Sequence, residues 1–181
     1  MARISFIEQE QLPEDMRWLF DRLKGDSGRV GDLWRVLGHN AHILRGSMIL
    51  GTGILQRSKL SPRLRELAIL RTGYLTGANY EYYHHMPSAR RVGVTQAEID
   101  AVPRGQEAPE YGPAERAVMA LADAMSAGPP KVDEGVFQQA RALLDEDEIL
   151  ELSMTIAYYN MLGRMMVALQ IEVEPGFDPN R

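Results

Sequence analysis

The sequence predicts an all-α protein, and three observations carry that prediction. Apolar residues recur at helical spacing along nearly the whole chain. Helix start and stop signals alternate in an orderly way. No run of period-two alternation bounded by turns appears, and no hairpin dipeptide separates two such runs.

The elements follow in order. Pro13 suits the first position of a helix reaching about Lys24, and Gly25, Gly28 and Gly31 then break it. A helical stretch runs from about Asp32 to Gln56, interrupted near Gly38–Asn40; Gly46, Gly51 and Gly53 would allow a neighbour to approach it closely. Ser61-Pro62 opens the next helix, with Leu64, Leu67, Ala68, Arg71 and Leu75 at its spacing and Gly77 as a left-handed stop. Asn79 is placed to cap a helix running to about Val92 and stopping at Gly93. Thr95 and Glu98 form a capping box before a short helix, and residues 103–113 read as a polar loop. Ala114 to Met125 is helical up to Gly128-Pro129-Pro130. A helix over about Asp133–Leu144 precedes a second capping box, Asp145 with Glu148, which opens a last helix to about Val173. The tail after it is irregular. This makes six or more helices, with the pairs at 61–92 and 133–173 suited to antiparallel hairpins.

Length and composition bound the function. A chain of 181 residues suits one domain spanning 1–181. A net charge of −5 with scattered Lys and Arg excludes the clustered basic surface that nucleic acid requires. There is no cysteine, which removes disulfides, thiolate metal sites and any thiol nucleophile, and is compatible with the cytoplasm. Residues 1–16 lack the charged-then-apolar pattern of a secretory signal. The apolar run Leu152–Ile171 is long enough to span a bilayer but carries Arg164 at its centre, so it reads as a core or interface helix and no membrane is expected.

The chemistry concentrates in residues 60–93. Glu81 and His85 stand four apart and share one helix face, while Glu66 lies one helix earlier, where it folds back onto that face. An imidazole with two carboxylates is an acid–base set for neutral pH. The plain structural alternatives are a first-turn glutamate complementing the helix dipole and an ion pair in the core. Arg65 and Arg71 flank Glu66, but neither stands at its pairing distance along the helix.

These residues resemble the carboxymuconolactone decarboxylase and alkylhydroperoxidase D-like family. The resemblance is carried by Leu60-Ser61-Pro62-Arg63, Glu66-Leu67, Gly77, Tyr80-Glu81, His85, Ala89 and Gly93-Val94, with Tyr159-Asn160 and Arg164 in the last helix. It covers about residues 33–170 and leaves 1–32 as an N-terminal helical extension. In the peroxidase branch a glutamate, two cysteines and a histidine act together. Here Glu66 and His85 match, but Ala78 and Glu81 stand where the cysteines would, so the chain resembles a cysteine-less branch and thiol peroxidase activity is not expected. The decarboxylase branch keeps a glutamate and a histidine as Glu81 and His85 stand here.

The resemblance implies an alkylhydroperoxidase D-like helical fold, a trimeric or hexameric homo-oligomer, and a cofactor-free carboxy-lyase acting on a small anionic carboxylate or lactone in aromatic-compound catabolism. His85 is then the proton carrier, with Glu81 and Glu66 tuning or sharing that role. Arg71 and Arg164 are candidates for gripping a substrate carboxylate in a bidentate fork. Tyr82 is a candidate pocket wall, among Tyr80, Tyr83, Tyr158 and Tyr159. Arg164, in an apolar helix, is expected to have a partner: Glu66, Glu81 or a ligand. His84 points about 100° away from His85, toward solvent or another subunit. Glu81-x-x-His84 is half of a di-iron motif without its second half, and His39 and His42 are one turn apart at a helix end, so no metal is expected. The competing reading is a non-catalytic oligomer that binds a small ligand, or a peroxidase-related protein that has lost its cysteines.

Overall fold

A leucine-rich helix opened by Pro62 sits at the middle of the architecture, and its sequence explains why. The computed structural model describes residues 2–25 and 28–180. Among these it forms helices α1 (Trp18–Leu23), α2 (Asp32–Leu37), α3 (Ala41–Gln56), α4 (Pro62–Thr76), α5 (Asn79–Arg91), α6 (Gln96–Ala101), α7 (Pro113–Ser126), α8 (Glu134–Arg141) and α9 (Glu146–Leu169). Three 3-10 turns add Gln9–Gln11, Glu14–Met16 and Val102–Glu107. No named strand forms among the described residues; one antiparallel bridge joins Lys24 and Val30.

Helix α4 is apolar on nearly every side, which suits a helix surrounded by others. Leu64 and Ala68 pack with α7, α8 and the first half of α9 through Val118, Ala140 and Leu152. Leu67 and Leu70 pack with Met86 and Ala89 of α5 and with Ile99 and Met119. Ile69 joins a third cluster with Leu19, Leu33 and Leu44 and with Tyr158, Leu162 and Met166 of α9. The polar residues Arg65, Glu66, Arg71 and Thr72 are buried in the sectors between these apolar faces. At Gly73, near the Glu66 sector, a Cβ would stand 3.2 Å from the backbone N of Tyr82, so α5 crosses there in close contact. Arg65 and Thr72, seven residues apart, lie on one stripe. Thr76 continues it one turn later and meets Gly163, where a Cβ would be 2.5 Å from Thr76 Oγ1. That stripe therefore faces α9.

The capping chemistry appears as the sequence indicates at several ends. Gly77 takes φ +71°, and both capping boxes form, at Thr95–Glu98 and Asp145–Glu148. Asn40, which the sequence marks only as an interruption, caps α3 by accepting from the amides of His42 and Ile43.

Other expectations are corrected. The helix expected from Pro13 to Lys24 is a 3-10 turn, Glu14–Met16, followed by the short α1. Asn79 is the first residue of α5, not its cap; Ala78 holds that place. Of the α3 glycines only Gly51 admits a neighbour, with the Tyr158 hydroxyl 3.0 Å from where a Cβ would stand, while Gly46 and Gly53 face open space. The stretch 103–113 is partly ordered as the third 3-10 turn. Helix α8 ends at Arg141, short of Leu144, and packs chiefly on α7. Helix α9 stops at Leu169 because Gln170 turns left-handed, φ 54°. No helix among the described residues is long and apolar enough to cross a membrane.

Candidate active site

Helices α4 and α5 bring the predicted acid–base set together. Glu66 projects from α4, and Glu81 and His85 from successive turns of α5. His85 Nδ1 donates to Glu66 Oε2 at 2.8 Å. Its Nε2 lies 3.4 Å from Glu81 Oε2. Both carboxylate side chains are only 5% exposed, and the imidazole 14%. The Tyr159 ring of α9 meets the imidazole edge-on, 5.0 Å between centroids.

Electrostatics decide the protonation state. Burial alone pushes the imidazole toward its neutral form, but the charge and hydrogen bond of Glu66, followed by Glu81, overcome it and push the His85 pKa up to about 10. His85 is therefore an imidazolium at neutral pH, able to give a proton rather than take one. Burial, then the charges of Glu81 and Glu66, raise the Tyr159 phenol well above its ordinary pKa, so it remains a neutral hydrogen-bond donor. Glu81 Oε1 is buried without a hydrogen-bond partner.

The substrate-binding candidates fall elsewhere. The guanidinium of Arg71 is committed to Asp123 at 2.5 Å and to the carbonyls of Val102 and Pro103, at 2.7 and 3.0 Å. It ties α4 to α7 and to the 3-10 turn. Gly105 is left-handed there, φ 59°, with the guanidinium 2.7 Å from where a Cβ would stand. Arg164 is exposed on α9 and bonds the Ser126 carbonyl at 3.2 Å, so its expected pairing with Glu66 or Glu81 is not made. The hydroxyl of Tyr82 donates to the Ile99 carbonyl at 3.2 Å, on the α6 side of α5. The aromatic neighbour of His85 is Tyr159, which the sequence leaves undistinguished among five tyrosines. Arg65, which sequence spacing sets aside because it stands next to Glu66, is buried at 6% exposure, with its Nε unpartnered.

His84 is half-buried rather than fully exposed. Its Nε2 pairs with Glu174 at 2.7 Å, and its ring stacks between Tyr80 and Phe177, at 4.2 and 4.1 Å. His39 bonds the Ser5 carbonyl at 2.8 Å.

The model of the carboxymuconolactone decarboxylase family matches residues 41–124, which include Glu66, Glu81 and His85. The protein YdfG of Bacillus subtilis (strain 168) is 25% identical over 115 residues, 63% of this chain and 78% of that protein. A peroxidase-related protein with an alkylhydroperoxidase core, from Ralstonia eutropha JMP134, superimposes with TM-score 0.83 at 18% identity, over 96% of this chain and 93% of that one. The debrominase Bmp8 superimposes with TM-score 0.81 at 21% identity, over 97% and 92%. A cysteine-to-alanine variant of that debrominase has been solved with 2,3,4-tribromopyrrole; the present chain has no cysteine at all. At these identities the structural likeness speaks for the fold. This cysteine-free chain is thus similar, over residues 41–124, to the carboxymuconolactone decarboxylase family, and it shares its helical architecture with a protein built on an alkylhydroperoxidase core.

Proposed function

We propose that the protein is a cytoplasmic, cofactor-free carboxy-lyase acting on a small carboxylate or lactone from aromatic-compound breakdown, with His85 as general acid. The observation that carries this reading is the buried His85 imidazole held between Glu66 and Glu81, whose charges favour its protonated form. When the bond to the departing carboxylate breaks, its electron pair moves into an adjacent carbonyl-conjugated system. His85 then delivers its proton to the resulting carbanion-like carbon. Glu66 keeps the ring oriented and charged until that moment, and a proton from solvent restores it. The neutral Tyr159 hydroxyl supplies a donor for developing negative charge on oxygen. Thiol chemistry is not part of this proposal, since the chain offers no thiolate.

The reading includes a homo-oligomer, trimeric or hexameric. An exposed apolar row on α9 supports it: Leu150, Met154 and Met161 are 62%, 39% and 52% exposed. Such a row marks a contact surface.

The test is carbon dioxide release from 4-carboxymuconolactone by the purified protein and by His85→Ala. Turnover by the parent with a loss of about 100-fold or more in the variant is expected, the usual contribution of a positioned acid. Equal activity of the two would remove His85 from the mechanism, and no turnover by the parent would reject this substrate.

One observation favours a second reading, a ligand-binding oligomer without catalysis: both imidazole nitrogens already face carboxylates of the same chain. In that case His85→Ala loses stability, and the parent itself releases no carbon dioxide.

A further inference from the structure

Four buried side-chain polar atoms lack a hydrogen-bond partner among the described residues: Arg65 Nε, Thr72 Oγ1, Glu81 Oε1 and Asn160 Oδ1. All of them sit on α4, α5 and α9, the helices that build the His85 cluster. Buried polar groups are nearly always paired, so such a concentration needs a cause.

Arg65 is the costliest of the four. Its guanidinium is charged at any working pH and only 6% of the residue is exposed. An unpaired charge in that setting is strongly destabilising. Other arginines of α4 show the ordinary solution: Arg63 pairs with Glu98 and Glu115, and Arg71 with Asp123. No ion pair of Arg65 is present among the described residues. Its stripe on α4, shared with Thr72, faces α9. There its positive charge reaches the Tyr159 phenol, as do the charges of Glu81 and Glu66.

We propose that Arg65 is the carboxylate-binding group of the His85 site and that it holds the carboxylate which the ligand keeps. The inference rests on the lyase reading above and adds a binding residue to it. A guanidinium stabilises a carboxylate far more than neutral carbon dioxide, so gripping the departing group would raise the barrier. The departing carboxylate belongs instead beside Glu66 and Glu81, whose negative charges disfavour a carboxylate more than they disfavour carbon dioxide. One arginine and two glutamates thus sort the kept carboxylate from the departing one.

The experiment uses cis,cis-muconate as probe and its dimethyl ester as control, with protein labelled with nitrogen-15 at arginine. Muconate is expected to move the Arg65 Nε–H resonance and to bind in calorimetry, while the ester does neither. Arg65→Gln should weaken muconate binding about tenfold or more, with Arg65→Lys between the two. An unmoved resonance, or unchanged binding in Arg65→Gln, overturns the inference. If Arg65→Gln does not fold, the parent resonance and Arg65→Lys decide. The two readings separate cleanly. Muconate engaging Arg65 without any carbon dioxide release from 4-carboxymuconolactone sinks the lyase reading alone. Decarboxylation with unchanged KM in Arg65→Lys and Arg65→Gln sinks the Arg65 assignment alone.

Discussion

At the scale of single residues, the arrangement of His85 makes a signed prediction about pH. Its folded pKa is raised, to about 10, above an unfolded value near 6.5. A group shifted upward contributes stability fully below the unfolded pKa, and that contribution fades as pH rises through the folded pKa. Parent protein should therefore lose stability between about pH 6.5 and 10. Urea midpoints across that range check it. Glu66→Gln removes the nearest charge and the hydrogen-bonded carboxylate, so the His85 resonances should titrate at lower pH and the fall in urea midpoint should shrink. A His85 pKa unchanged in that variant would show that Glu66 does not set the protonation state. Removing one member of a buried ion pair typically costs about 3–5 kcal/mol, and Glu66→Ala should fall in that range.

At the scale of elements, the close crossing of α4 and α9 is the feature to perturb. Gly163 admits the Thr76 side chain, and a Cβ there would stand 2.5 Å from Thr76 Oγ1, 3.1 Å from Thr76 Cβ and 3.3 Å from Ala78 Cβ. Thr76 is itself held by bonds to the Thr72 and Gly73 carbonyls, at 2.9 and 3.2 Å, so it yields poorly. Gly163→Ala should destabilise by about 1–3 kcal/mol, the usual cost of overpacking, despite the better helix propensity of alanine. Thermal unfolding measures it; an unchanged or raised midpoint would mean the helices part freely. The same helix α9 brings Tyr159 to His85, so under the proposed lyase reading the variant should also lower turnover.

At the scale of the molecule, the two ends of the chain are fastened to the helices. The Arg3 amide bonds the Leu169 carbonyl at 2.8 Å. The C-terminal segment is latched onto α5 by Glu174, which accepts from Tyr80, from the Asp32 amide and from His84, at 2.8, 2.9 and 2.7 Å. Phe177 covers the His84 ring, and Arg90 bonds the Pro179 carbonyl. Burial works against the charged form of Glu174, but the bonds from His84, Asp32 and Tyr80 prevail and lower its pKa to about 2. A carboxylate shifted downward stabilises fully above its unfolded value, near 4.5, and stops doing so as pH falls through the folded value. The Asp32 amide signal should thus stay constant down to about pH 4 and change as pH approaches 2. Glu174→Gln should loosen the tail at neutral pH, read as faster amide exchange over residues 171–180. Subunit association is tested on α9: Met161→Glu puts a charge in the exposed apolar row, and sedimentation should show smaller particles than for the parent. A parent that sediments as a monomer would remove the oligomer from the proposal.

The sequence by itself determined the helical class, most helix ends and the composition of the acid–base set. These are local properties: a cap bonds within four residues, a glycine relieves its own φ, and Glu81 with His85 shares a face by spacing alone. It also ruled out thiol chemistry. Only the tertiary structure decided which side chains come near the acid–base set. Arg71 is drawn off by Asp123 on α7, Arg164 by the Ser126 carbonyl and Tyr82 by the Ile99 carbonyl, while Tyr159 meets His85 from α9 and Arg65 is buried on the stripe of α4 that α9 crosses. Helix periodicity says which residues share a face, but not which helix that face will meet. The meeting is set by packing three apolar clusters around α4, contacts between residues far apart in sequence.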